Sequence, residues 1–228
     1  MKFFDHPSAV AFTSDASIDF TPPDFDSPLT DAQQAYLKAR TGKEIPQVFW
    51  RKQVHEDTVI TAQGKPSDCR ACPDADAFIT NQKGIPIAIR TADCLPVFIY
   101  DPVKGAAGLA HAGWKGTRSR IAAKTVKTMQ DKFGCQCYDL HIALGPSLRR
   151  CCYEVGAEFK EYFPQDVSLA NGRLHFDIIA ANIRQLTDAG VPAENIFDSR
   201  ACTFCQPGHF SFRRDGEKSG RMISLMML

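Results

Sequence analysis

The chain has 228 residues, with 27 basic and 26 acidic side chains and nine cysteines. That length buries roughly three quarters of the unfolded surface, so no external staple is needed. The balanced charge excludes nucleic acid and a membrane face as expected partners. Asp5 and His6 interrupt MKFFDHPSAV directly after its first apolar residues, leaving no secretory h-region, and no apolar run reaches transmembrane length. An odd thiol count beside a full-sized core points to reduced cysteines and a cytoplasmic setting, with disulfides the weaker expectation.

Along the chain, TPPDFDSP at residues 21–28 predicts a loop, and residues 31–41 predict a helix that starts after the cap Thr30 and stops at Gly42. Residues 47–61 carry the β-branched and aromatic content of a strand pair, with His55 near a strand end, and residues 69–76 read as loop. The runs 85–89, 95–100 and 106–110 predict closely spaced buried strands, broken by ThrAlaAsp and AspProValLysGly. Ala122, Val126, Met129 and Phe133 form the stripe of an amphipathic helix closed by Gly134. Residues 138–144 predict a strand and 153–163 a short helix, while Ile179, Ile183 and Leu186 mark a helix ending at Gly190. Residues 210–213 and 222–228 predict two last strands, the final one apolar on both faces and therefore central. Strands and helices interleaved without a regular βαβ beat define a mixed α/β fold in a single domain, residues 1–228.

Three fragments carry ligand chemistry: QVH ending at His55, TADCLPV around Cys94, and HAGWKG starting at His111. Two imidazoles and a thiolate suit a catalytic zinc ion, which keeps its fourth position open. Singly, each residue is more commonly an inert core thiol or a satisfied histidine. Cys94 and His111, however, lie one strand, a turn and a returning strand apart, which brings both to one sheet edge. The second histidine of HExxH is missing after His55, PCxxC is absent, and GlyLysProSer lacks the upstream glycine of a phosphate loop. Zincin, nucleobase-deaminase and nucleoside-triphosphate sites are therefore excluded.

The pairs Cys69/Cys72 and Cys202/Cys205 have structural-zinc spacing but stand about 130 residues apart, so a joint site is the weaker reading. Cys135, Cys137, Cys151 and Cys152 read as packing thiols, and His6, His141 and His175 as surface or satisfied core histidines. Arg149, Arg150, Arg213 and Arg221 are basic candidates for holding an anion. Three others are preferred for phosphate: Arg90, anomalous inside an apolar strand, Lys115 and Arg214.

AIRTADCLPV, GLAHAGWKG, GPSLRRCCYEVG, the late CTFC and FSFRRDGEKSGRMISL closely resemble the multi-copper polyphenol oxidase or laccase-domain family, also called the YfiH or peptidoglycan-editing-factor family, over residues 47–228. The resemblance implies a four-layer α/β/β/α fold with mixed sheets and carries metal-ligand roles onto His55, Cys94 and His111. It also implies phosphorolysis of purine nucleosides, including methylthioadenosine, and adenosine deamination. The chain departs from the family pattern in having Glu56 where glycine follows the first histidine, and in lacking a SerLeuAsn stretch within residues 13–40.

Together these readings give a zinc-dependent enzyme, monomeric and cytoplasmic, acting on purine nucleosides and phosphate, with copper the less favoured metal. Cys94, His111 and Asp93 are the catalytic candidates. In deamination, water activated at zinc would attack the amino-bearing purine carbon, with Asp93 or Glu56 as proton carrier. A second reading makes Cys94 the nucleophile and His111 the base of an amide hydrolase editing a peptidoglycan precursor. A copper oxidase ranks third, because no HisCysHis run is present, and a non-catalytic metal-binding module ranks fourth.

Overall fold

The structure is a computed structural model that describes every residue except Pro7, Pro23 and Phe25, and every side chain except theirs and those of Asp5, His6, Arg70 and Ala71. Pro23 and Phe25, within the expected loop at residues 21–28, and the His6 side chain thus lie outside the described residues. In chain order the elements are β1 (Lys2–His6), β2 (Ala9–Thr13), α1 (Asp31–Thr41), β3 (Val59–Thr61), β4 (Ala77–Thr80), β5 (Ile87–Thr91) and β6 (Leu95–Asp101). They continue with β7 (Ala106–Ala112), α2 (Trp114–Arg118), α3 (Ile121–Phe133), β8 (His141–Leu144), β9 (Glu154–Val155) and α4 (Phe159–Tyr162). The last are β10 (Val167–Ala170), β11 (Arg173–Phe176), α5 (Ile178–Asp188), β12 (Ile196–Asp198), α6 (Phe212–Asp215) and β13 (Met222–Met227).

Six strands form one sheet in the order β12-β8-β6-β7-β4-β3, four form a second in the order β1-β2-β13-β5, and β10-β11-β9 make a small third. Strand alternation sets the layers. On β6, Leu95, Val97 and Ile99 pack with Ile121, Val126 and Met129 of α3 and with Ile178 and Leu186 of α5. From the opposite face, Phe98 and Tyr100 meet Ile87, Ile89 and Met226 of the four-stranded sheet. That sheet turns Phe12, Ala88, Ile223 and Leu225 the other way, onto Leu37 of α1 and Phe20. The result is the expected mixed α/β fold in α/β/β/α order. Strands buried on both faces have no polar side to alternate, which is why they read as unbroken apolar runs.

Close approach explains one glycine. A Cβ on Gly108 of β7 would lie 2.7 Å from Met129 Sδ, so the bare backbone lets α3 settle against the sheet. At α1 the local signals act as read: Thr30 Oγ1 accepts from the Gln33 amide at 3.3 Å, Gln33 Oε1 accepts from the Thr30 amide at 3.0 Å, and Gly42 closes the helix at φ 71°. α3 likewise ends at Gly134, and β13 is central, between β2 and β5.

Several expectations are corrected. Residues 47–61 hold only β3 and an isolated Phe49–Ile87 bridge, because the amides of residues 54–56 bond to a buried carboxylate instead of a neighbouring strand. The expected helix at 153–163 is β9 followed by the single turn α4. The expected strand at 210–213 does not form; α6 begins at Phe212, and the Ser211 hydroxyl caps it by accepting from the Arg214 amide at 3.2 Å. Strands β1, β2, β4 and β10–β12 were not anticipated. Cys69 and Cys72 form a disulfide across a 3-10 turn, against the expectation of reduced thiols, and the other seven cysteines are free. Among the described residues, no helix is long and apolar enough to cross a membrane.

Phe98 is fully buried between the sheets, its ring centroid 4.7 Å from that of Phe3. Phe98→Ala is expected to cost about 3–5 kcal/mol. The measurement is a lowered denaturant midpoint at unchanged m-value, with metal loading held fixed.

Candidate metal centre and cleft

The centre is built around Asp76, which immediately precedes β4 and is fully buried. Its Oδ2 accepts from the amides of Val54 at 3.1 Å and Glu56 at 2.9 Å, and its Oδ1 from the amide of His55 at 3.0 Å. The Nδ1 of His111 lies 2.7 Å from Oδ1. A buried carboxylate is costly unless its lone pairs are filled, and these donors fill them. Burial alone would push the Asp76 carboxyl up, but the His111 ring and the amides of Glu56 and His55 hold it below its ordinary value. His55 sits at φ 62°, a left-handed conformation uncommon outside glycine, and the amide bonds to Asp76 secure that turn.

The register of β6 and β7 supplies the other two ligands. Pro96 faces His111 and Leu95 faces Ala112, so Cys94, one residue before β6, arrives beside the end of β7. The ligand atoms of His55, Cys94 and His111 all lie within 4.8 Å of one another. The two imidazole rings stand 4.8 Å apart at 75°. Gly113 makes this approach possible, since a Cβ there would meet Cys94 Sγ at 3.0 Å and His55 Cδ2 at 3.1 Å.

The donor set fits zinc. One thiolate and two imidazoles are available, and because Nδ1 of His111 is bonded to Asp76, Nε2 is left as the ligand atom. This is the carboxylate–histidine arrangement that orients metal ligands. Burial pushes the Cys94 thiol up, but the neighbouring His111 and His55 imidazoles outweigh it and bring the thiol down to about 6. Burial likewise opposes the charged form of His111, while Cys94 and Asp76 raise it to about 9.

Above the centre lies a cleft of about 470 Å³. Arg90, Arg213 and Arg221 line it together with the rings of Tyr153 and Phe212. Gln53 presents Arg90 by pairing both ways with its backbone, each bond 2.8 Å. Burial draws the Arg90 guanidinium down to about 10, aided by Arg221 and opposed by Asp19. Arg213 lies 5.7 Å over the Tyr153 ring and Arg221 lies 5.8 Å over that of Phe212.

Asp93 also lines the cleft, and it fastens the turn that carries Cys94. At φ 92° it accepts from the Thr203 hydroxyl and from the Arg213 amide, both at 2.6 Å, and its carbonyl accepts from the Leu148 amide at 2.8 Å. Of the residues singled out in the sequence, the structure thus brings together His55, Cys94, His111, Asp93 and Arg90. Lys115 stands apart, in a second opening shared with His55, Glu56, Trp114 and Arg118. Arg214 is turned away, donating to the carbonyls of Thr203 at 2.9 Å and His209 at 2.8 Å and pairing with Asp215. Its neighbours Arg213 and Arg221 reach the cleft instead. Asp76, Gly113 and Tyr153 were missed; only Gly113, inside HAGWKG, carried a signal, since small residues permit close approach.

The fold and centre define a mixed α/β protein in which three side chains of metal-ligating type converge beneath a basic, aromatic-walled cleft. The family described as multi-copper polyphenol oxidoreductase laccase matches residues 24–228, and the chain belongs to that family. It is 37% identical over 188 residues to a purine nucleoside phosphorylase of Aquifex aeolicus, covering 82% of this chain and 85% of that one. It is 40% identical over 164 residues to the adenosine deaminase RL5 of an unknown prokaryotic organism, covering 68% of this chain and 62% of the other. Among solved structures, the YfiH protein of Bacillus licheniformis superposes with a TM-score of 0.84 at 25% identity, covering 100% of this chain and 98% of that one. YlmD of Geobacillus stearothermophilus superposes at 0.81 with 27% identity, covering 97% and 92%.

Asp76→Asn removes the charge that orients His111 while keeping one acceptor. Metal affinity at this centre is expected to fall about 10–100-fold. Competition against a chromophoric chelator measures it, with Cys94→Ala marking which transition belongs to this centre.

Proposed function

We propose that the chain is a zinc-dependent purine nucleoside phosphorylase, a single functional unit acting as a cytoplasmic monomer. Adenosine deamination and methylthioadenosine cleavage would be further activities of the same cleft. One observation carries this reading: the His55–Cys94–His111 centre opens into a cleft that offers both guanidinium groups and aromatic faces. The names of the Aquifex and RL5 relatives support it.

In phosphorolysis a phosphate oxygen bonds to the anomeric carbon of the ribose as the glycosidic C–N bond breaks. The electron pair leaves with the purine, which takes up a proton. Arg221 disfavours the charge on Arg90, and an anion beside them relieves that effect while Arg213 supplies a third cation. The faces of Tyr153 and Phe212 take the purine, whose flat apolar surface suits an aromatic wall. His55, Cys94 and His111 would hold zinc, which when bound supplies Lewis acidity. Asp76 keeps His111 in the tautomer that presents Nε2. In the deamination branch Asp93 is the carboxylate beside the cleft able to move a proton, with the Thr203 hydroxyl behind it.

A second reading rests on a specific geometry. Cys94, His111 and Asp76 follow one another as nucleophile, base and orienting carboxylate, the order needed for a thiol-dependent amide hydrolase. Such an enzyme would survive chelation and die on thiol alkylation, whereas the phosphorylase would lose activity under either treatment.

Incubation with adenosine and phosphate, combined with metal analysis, tests the main reading. Adenine and ribose phosphate are expected, with inosine as the deamination product; neither product would overturn it. Cys94→Ala is expected to lose both the centre's metal and turnover, and retained phosphorolysis in that variant would remove the centre from the mechanism. Arg90→Gln keeps the backbone pairing with Gln53, so KM for phosphate is expected to rise about tenfold or more, in line with one lost charge-assisted hydrogen bond. An unchanged phosphate KM would place the anion elsewhere.

A further inference from the structure

A second convergence of metal-ligating side chains lies beside the cleft. The sulfurs of Cys151, Cys152, Cys202 and Cys205 all fall within 4.8 Å of one another. The pairing considered from the sequence, CRAC with CTFC, does not form, because Cys69 and Cys72 are bonded to each other. CTFC instead faces the CysCys pair at 151–152, whose residues read from the sequence as packing thiols.

Backbone contacts hold the two segments in place. The amides of Cys152 and Tyr153 bond to the Arg149 carbonyl at 2.8 and 2.9 Å, which folds the CysCys pair into a turn. Cys202 bridges to Ser147, and the Thr203 amide donates to the Ser147 carbonyl at 3.0 Å. Arg149 donates to Asp198 through both Nη1 and Nη2, the Nη1 bond at 2.8 Å, and ties the turn to β12.

The spacing of the sulfurs identifies the ligand. A tetrahedral zinc ion with Zn–S bonds of about 2.3 Å sets its four sulfurs about 3.8 Å apart. Cys151 stands 3.7 Å from Cys202, 3.7 Å from Cys205 and 3.6 Å from Cys152. Cys152 and Cys205, at 3.1 Å, need to separate slightly. An iron–sulfur cluster, with several irons and sulfides among its cysteines, requires a wider set. We propose that Cys151, Cys152, Cys202 and Cys205 bind one zinc ion as a closed tetrathiolate. Four protein ligands leave no open position, so the ion is structural. It staples the segment before Tyr153 to the segment carrying Thr203, the residue whose hydroxyl holds Asp93 at the cleft.

Cobalt(II) is the probe. In reduced, metal-free, full-length Cys94→Ala, where the first centre is disabled, one equivalent of cobalt is expected to bind. It should show intense tetrahedral d–d bands and strong thiolate-to-metal charge transfer, both bleached by one equivalent of zinc. Adding Cys205→Ser, at an exposed position, should weaken cobalt binding at least tenfold and reduce the charge-transfer intensity. Absence of a stoichiometric cobalt complex, or spectra unchanged by Cys205→Ser, would overturn the proposal. A measurement without variants guards against misfolding: zinc should protect these four thiols of the unaltered protein from alkylation, read by peptide mass mapping, and unprotected thiols would refute the site. Cys205→Ser with Cys94 intact should keep the first centre's metal, so failure at one centre is distinguishable from failure at the other.

Discussion

The arrangement depends on one buried carboxylate. Asp76 has no solvent to satisfy it, so its oxygens must be filled from within the protein. They take three successive amides of an irregular loop and one ring nitrogen of a strand residue. These two demands come from opposite sides: the loop carries His55 and the strand carries His111. A single charge thereby fixes the relative position of two imidazoles that the sequence keeps far apart. It also engages Nδ1 of His111, which leaves Nε2 as the ring nitrogen turned toward Cys94 and His55.

The third ligand reaches the centre through sheet register. Every residue of β6 and of β7 is enclosed. A one-residue slip would turn Leu95, Val97 and Ile99 from the helices toward the opposing sheet, so the core fixes the register. Cys94 sits at the end of that locked ladder. Its position is thus set by hydrophobic packing, whereas that of His55 is set by hydrogen bonding. Asp93 joins the two regimes: its left-handed backbone lets the chain turn out of β5, and its oxygens bind segments that are distant in sequence.

What was legible in the sequence follows the same division. Residues whose roles come from local rules could be read directly: Thr30 and Gly42 around α1, the stripe of α3, and the doubly apolar β13. The convergence of His55, Cys94 and His111 was legible through residue type and flanking motif. Asp76 was not, because a carboxylate inside PDADA looks like loop until its tertiary partners are known. The strand pair expected at 47–61 is reduced to β3 and one bridge for the same reason, since β propensity at residues 54–56 was overridden by amides committed to Asp76. Arg213 and Arg214 are adjacent and chemically identical, and tertiary contacts separate them: the Arg213 amide is held by Asp93, whereas the Arg214 guanidinium is held by the carbonyls of Thr203 and His209. The four-cysteine cluster was hidden by spacing rules, which favour two CxxC pairs; a turn placed CysCys opposite CTFC instead.

These constraints make a division of labour between thiols intelligible. A three-donor centre leaves a position open for chemistry and must be oriented by neighbours that do not themselves bind the metal, which is the place of Asp76 and Gly113. A four-sulfur cluster has no such opening, and its effect is exerted on the chain it ties together. That chain includes Tyr153, one residue past the cluster on one side, and Thr203, one residue past Cys202 on the other. Tyr153 forms part of the cleft wall and Thr203 holds Asp93, so the cluster and the open centre meet at the turn bearing Cys94. The cleft is therefore bounded by two independent fastenings, a buried carboxylate beneath and a set of thiols beside it.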